Sequence, residues 1–124
     1  MNNTQRYPNG KEKSFMLVQG FYGNRTLVDI GEEDINKTLN CNSDTDRVVI
    51  EIPNTENLVL IYSKDKEERV RKDNEKGNFK PLAFIKEKDI EIYSRCIVCR
   101  QNSDGHFVSF EEEDFDKVTM YLAK

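Results

Sequence analysis

The chain has no tryptophan, one histidine, three prolines and three cysteines in 124 residues, and each shortage closes off a class of explanation. Any general-base or histidine–metal mechanism would rest on His106 alone, and this residue follows a turn glycine, where an exposed histidine is commonplace. Three cysteines are an odd set without the spacing of a disulfide scaffold, which fits a reducing, cytosolic setting. No apolar stretch approaches the roughly eighteen residues that a bilayer span requires, and the N-terminal residues show no signal-peptide core. A basic excess is missing as well. Net charge is −4, so the molecule as a whole has no field that would draw it to DNA or RNA. The phosphate loop, the dinucleotide-binding glycine fingerprint, the nucleophile elbow and the paired-histidine zinc motif are all absent.

What is present is enough for one core. Val, Ile, Leu and Phe supply about a quarter of the residues, and this length builds a single domain. Residues 1–13 carry no apolar period and read as a loose tail, which leaves 14–124 as the domain. Ser14 to Tyr22 alternates as a strand, with Phe15, Leu17 and Phe21 on one face and Met16, Val18 and Tyr22 on the other. Gly23-Asn24 turns the chain into a second strand through Ile30. Glu32 to Leu39 is a short helix with acids at its start, where the helix dipole favours them. Strands follow at Val48 to Ile52 and Leu58 to Tyr62. The continuous apolar run of the second suggests a central position.

Residues 64–77 hold eleven charges of mixed sign in fourteen positions, directly after that apolar strand. The expectation is a long solvated excursion or an extended β-arm, and hence a working surface. Pro81 confines the stretch from Phe79 to Ile85 to an edge, so a second copy is expected to cover it. Ile90 to Arg100 reads as one long strand, with Ile90, Ile92, Cys96 and Val98 on one face, and Ser103-Asp104-Gly105 turns it back through Phe107 to Phe110. Ser109 stands three residues before Glu112, the spacing of a capping box, and Phe115, Val118 and Leu122 recur at helical spacing. The reading is an α+β domain: a mostly antiparallel sheet of five or six strands with two helices packed on one face.

The run Gly-His-Phe-Val-Ser-Phe-Glu-Glu-Glu-Asp-Phe-Asp-Lys-Val, at residues 105–118, together with this order of elements, resembles a family of small phage and gut-bacterial domains of unknown function. The resemblance spans residues 15 to 120. Where that family has a Gly- and Pro-containing turn, this chain has its charged run, with Lys72-Asp73-Asn74 nearest the pattern. The resemblance implies a phage-type accessory protein working in a bacterial host cytosol, and it brings no catalytic residues with it.

The chemistry-bearing candidates are few. Cys96-Ile97-Val98-Cys99 is a C-x-x-C inside a strand pattern, where alternation sends the two sulfurs to opposite faces; Cys41 and His106 would complete a metal set only on paper. No metal, no cofactor and no catalytic residue is expected. Two binding surfaces stand out. One is a protein-docking surface of Lys64, Lys66, Arg69, Arg71 and Lys72 with Glu112 and Glu113 of the last helix. The other is a set of Tyr22, Arg25, Tyr62, Tyr93, Arg95 and Arg100, aromatic and guanidinium groups of the kind that stack on a base and fork onto phosphate. The function expected is non-catalytic: docking on a host protein, such as a defence or restriction component, or alternatively sequestering a small nucleotide. No membrane and no direct nucleic-acid partner is expected.

Overall fold

The computed structural model describes residues 14–20, 23–109, 111 and 113–122, with 119–122 for their backbone alone. The expected tail at 1–13 and the side chains of Phe21, Tyr22, Phe110 and Glu112 lie outside the described residues. The fold is α+β, and its core is an antiparallel six-stranded sheet.

Strands β1 (Ser14–Gln19) and β2 (Asn24–Asp29) form a hairpin in the register Ser14↔Asp29 to Gln19↔Asn24. Gly23 closes the turn at φ +64, and a Cβ there would lie 2.5 Å from the Leu82 carbonyl oxygen. Glycine is therefore what lets this hairpin close against the segment it touches. A 3₁₀ turn at Glu32–Asp34 leads into α1 (Ile35–Leu39), which ends at Asn40 in the left-handed conformation. Next come β3 (Arg47–Glu51) and β4 (Leu58–Ser63), paired Arg47↔Ser63 to Glu51↔Val59. Helix α2 (Lys64–Asp73) follows β4 without a gap. Then β5 (Ala83–Ile85) and β6 (Ile90–Ile92) form a separate hairpin, β7 (Cys96–Gln101) and β8 (Phe107–Val108) a third sheet hairpin, and α3 (Asp114–Leu122) ends the described chain.

Strand order is β2-β1-β7-β4-β3, with β8 on β7 beyond the start of β1. Strand β7 is the axis: Val18 and Tyr62 both stand opposite Cys96, so β1 and β4 run antiparallel to it on either side. Strand alternation then divides the apolar side chains into two cores. Met16, Val18, Leu60, Cys96 and Val98 face the β5–β6 hairpin and Val118 of α3. Phe15, Leu17, Val59, Ile61, Ile97 and Cys99 face Ile35 and Leu39 of α1. The sheet is thus covered on both sides, which is why β1, β4 and β7 read as continuous apolar runs.

Several expectations are corrected at this level. The α+β class and the six-stranded antiparallel sheet are as expected, and the described residues form two helices of nine or ten residues and the short α1; α1 and α3 lie on opposite faces of the sheet rather than on one. The charged excursion is neither a loop nor a β-arm but helix α2. Ser63 caps it, accepting from Lys66 N–H at 3.1 Å, while Asp65 and Glu67 fill the first turn and Arg71 and Lys72 the last. Pairs four residues apart, Asp65–Arg69 at 2.8 Å and Glu67–Arg71 at 3.0 Å, line its surface.

The stretch from Ile90 to Arg100 is two strands, interrupted at Tyr93 to Arg95 where backbone N–H groups turn to a carboxylate instead of a neighbouring strand. Its face assignment survives the break, because Ile92, Cys96 and Val98 still share one core. The segment after Pro81 pairs with β6 off the main sheet, so the sheet's edges are β2 and β3 rather than this one. The capping box expected at Ser109 rests on Glu112, which lies outside the described residues; the Ser109 hydroxyl accepts from Ser14 N–H at 3.3 Å, and the last helix is described from Asp114, whose carboxylate accepts from Glu111 N–H at 3.0 Å.

Candidate binding cleft at one end of the sheet

The antiparallel arrangement about β7 brings four chain ends together: the end of β1, the start of β2, the end of β4 and the start of β7. Helix α2 leaves from this end and α1 finishes beside it. Between them opens a cleft of about 570 Å³, lined among others by Gln19, Asn24, Asn40, Lys66, Tyr93 and Arg95. A space of this size falls in the range of small-ligand pockets.

The wall of the cleft is fixed by one buried acid. Glu67 is 5% exposed and sits a single residue along α2 from Lys66. Its carboxylate accepts from Tyr93 N–H at 3.0 and 3.1 Å, Ser94 N–H at 2.9 Å, the Ser94 hydroxyl at 2.8 Å and Arg71 Nε at 3.0 Å. These bonds satisfy a buried charge and hold the 93–95 interruption against α2. Arg71 also lies over the Tyr93 ring at 5.0 Å from its centroid and donates to the Glu91 carbonyl.

A second acid holds the start of α2. Asp46 accepts from the Ser63 hydroxyl at 2.6 Å and from Asp65 N–H at 3.0 Å, and these bonds, the hydroxyl first, hold its carboxyl below the usual range. Arg95 Nη1 donates to the Thr38 carbonyl at 2.9 Å, meeting one of the carbonyls that the end of α1 leaves free.

The charge of this cleft is one-sided. Among the described residues its lining includes the Lys66 and Arg95 cations and no carboxylate, with the Glu67 carboxylate directly behind Tyr93 and Ser94, in a chain whose net charge is −4. Among the described residues the Lys66 ammonium makes no ion pair, and Arg95 is bonded only through the nitrogen on Thr38. Arg25 stands at the same sheet end on the other face of β2, and its Nε is buried with no hydrogen-bond partner among the described residues.

The sequence candidates are therefore divided. Lys66, Tyr93 and Arg95 line the cleft, and Arg71 backs it through Tyr93. Tyr62 is half-buried opposite Cys96; burial first, then the nearby Glu67 charge, pushes its hydroxyl pKa up. Lys64, Arg69 and Lys72 point to solvent from the outer side of α2, with Arg69 on Asp65. Arg100 is at the far end of the sheet, held by Asp114 at 2.7 and 2.9 Å with Glu111 at 3.8 Å, and takes no part in the cleft. Glu113 is exposed beside it, while Tyr22 and Glu112 are outside the described residues.

His106 is exposed on the β7–β8 hairpin and its Nδ1 lies 3.0 Å from Glu32. Cys96 and Cys99 are buried in opposite cores, as strand alternation requires. Burial pushes the Cys96 thiol up to about 12 and the Cys99 thiol higher still; the half-exposed Cys41 is raised by burial and then by Asp46. Among the described residues no group of three or more His, Cys, Asp or Glu side chains is placed to hold a metal.

Sequence reasoning missed Glu67 as the anchor and Asp46 as the acid that holds the Ser63 cap. The signal for both was local: Ser63 preceding an acid-first, base-last segment is a helix start. No family model, no curated protein and no solved structure matches the chain. No helix among the described residues is long and apolar enough to cross a membrane.

Proposed function

We propose that this is a non-catalytic binding protein whose sheet-end cleft takes a small anionic ligand of nucleotide type. The observation that carries this reading is the cleft's charge: Lys66 and Arg95 line it with donors to spare, and among the described residues no acid is in the lining. Around them stand side-chain amides of Gln19, Asn24 and Asn40, the Thr26 hydroxyl and the Tyr93 ring, groups that suit a phosphate beside a planar, hydrogen-bonding base. Sequestering such a molecule requires no bond to be made or broken.

A thermal-shift and calorimetry screen tests it, with pyrophosphate, cyclic dinucleotides and ADP-ribose as probes. A stabilising ligand is expected. Lys66→Ala and Arg95→Ala should each weaken it by roughly tenfold or more, since a hydrogen bond to a charged group contributes about 1.5–3 kcal/mol. A flat response to every probe, or an affinity that both variants leave unchanged, would refute it.

A second reading is favoured by the outer face of α2, where Lys64, Glu68, Arg69 and Lys72 are exposed on a helix whose inner face Glu67 anchors. Such a face is a rigid docking surface for a protein partner, including a host defence or restriction component of the kind the phage-family resemblance implies. Reversing those charges leaves the cleft untouched. A host protein retained by the native chain and lost on that reversal would support this reading; retention unaffected by it would exclude the face.

A further inference from the structure

Among the described residues the outer edges of β2 and β3 are left unpaired, and β3 is blunted only by the charges at its two ends, Arg47 and Glu51. It contains no proline, no lysine and no bulge, and Val49 is 40% exposed on it. Ile52 N–H donates to the Leu58 carbonyl at 3.0 Å, so the bonds to β4 fall at Ile52, Ile50 and Val48. In an antiparallel ladder the intervening residues then direct their backbone groups the other way. The Val49 N–H and C=O, the Glu51 N–H and the Arg47 C=O consequently face outward, while Arg47 N–H is already taken by the Asp44 carbonyl.

The sequence of this edge, Arg47-Val48-Val49-Ile50-Glu51, is its own complement. Turned about a two-fold axis through Val49, it sets Arg47 opposite Glu51 of a second copy, Val48 opposite Ile50, and Val49 opposite itself. The outward Val49 groups then meet their symmetry mates, and each outward Glu51 N–H meets an outward Arg47 carbonyl. The Arg47 side chain is itself held within the chain, so the pairing rests on the backbone groups and on Val49. Asn36 holds its Nε at 2.8 Å, Asp44 lies 3.3 Å from Nη2, and Phe107 stacks beneath its guanidinium.

We infer that two copies of this chain pair antiparallel along β3, extending the sheet into a continuous one across a two-fold axis. The β2 edge, Asn24-Arg25-Thr26-Leu27-Val28-Asp29, is not its own complement: a two-fold axis would set Arg25 opposite Val28 and Asn24 opposite Asp29.

Light scattering or sedimentation on the full chain tests this. The expected mass is twice the 14.5 kDa of one chain. Val49→Pro deletes an outward donor without touching the β3–β4 ladder, at a position of the kind where an edge strand tolerates proline. Glu51→Arg, at an exposed side chain, places like charges opposite each other. Each variant should shift the mass to that of a single chain, with the circular dichroism spectrum retained. A native chain that runs as a single copy, or a dimer that both variants leave intact, overturns the inference.

Discussion

Replacing Glu67 should cost more stability than any other single surface-helix change in this protein. The side chain is 5% exposed and serves two backbone N–H groups, one hydroxyl and one guanidinium, at 2.8–3.1 Å. In Glu67→Ala the Tyr93 and Ser94 donors remain in a largely buried place with nothing to accept from them. Each unsatisfied group carries a penalty of about 1–3 kcal/mol, but the donors share one acceptor and water enters as the wall loosens, so the penalties do not add. The Arg71 guanidinium is half exposed and finds water instead, so the loss comes from the Tyr93 and Ser94 donors and is expected at about 3–5 kcal/mol in total. For a domain of this size it corresponds to a fall in Tm of roughly 10–20 °C.

Glu67→Gln keeps one acceptor oxygen but turns an amide N–H toward donors, so it should fall between the native protein and Glu67→Ala. Urea unfolding followed by circular dichroism measures both. A cost below about 1 kcal/mol for Glu67→Ala would mean that the Tyr93–Arg95 interruption does not need its carboxylate. The account of the cleft wall would then fail.

Acid should weaken the fold through Asp46 and Asp114, both held below the ordinary carboxylate range. For Asp114 burial alone would raise the pKa, and the hydrogen bonds from Arg100 outweigh it; the contribution of a depressed acid is present above its unfolded pKa of about 4 and lost as pH falls through the folded value. Urea midpoints should therefore drop below pH 4, and Asp114→Asn should flatten that drop; an unchanged slope would refute it. Phe115→Ala should cost about 2 kcal/mol by thermal unfolding, short of the roughly 3 or more expected of a fully buried ring, because Phe115 is only half-buried against the core. In a thiol titration of the native protein Cys41 alone should react, and slowly, while Cys96 and Cys99 become reactive only on unfolding; reaction of all three at once would contradict their burial.

The parts of the fold that were readable in the sequence are those where a strand's own alternation decides the outcome. Phe15 and Leu17 face one core and Met16 and Val18 the other, and the opposite placement of Cys96 and Cys99 follows from the same period. What escaped was decided by polar groups distant in sequence. Helix α2 has only Val70 as an apolar residue in its ten positions, so it has no hydrophobic stripe to read. Its inner face is attached by Glu67, a charge that looks like any other in the run until Tyr93 and Ser94 are folded against it. The same carboxylate explains why Ile90 to Arg100 is not one strand. One residue accounts for both misreadings, and local propensity describes neither of them.

The candidate site shows the same division. Its residue types were recognised, Lys66, Tyr93 and Arg95 among them, but as members of two different surfaces. Topology merges them. Because β1 and β4 both run antiparallel to β7, the last residues of both strands lie beside the residues that precede β7, and the helix that continues β4 is delivered to the same place. Arg100 has the same composition signal as Arg95 but sits five residues further along β7, at the opposite end of the sheet, where Asp114 claims its guanidinium. An arginine bound at both ends of its fork has little left for a ligand; one that lines the cleft and is bound through a single nitrogen has the rest available. The difference between these two arginines is the physical reason the proposed binding is assigned to the start of β7 rather than to its end.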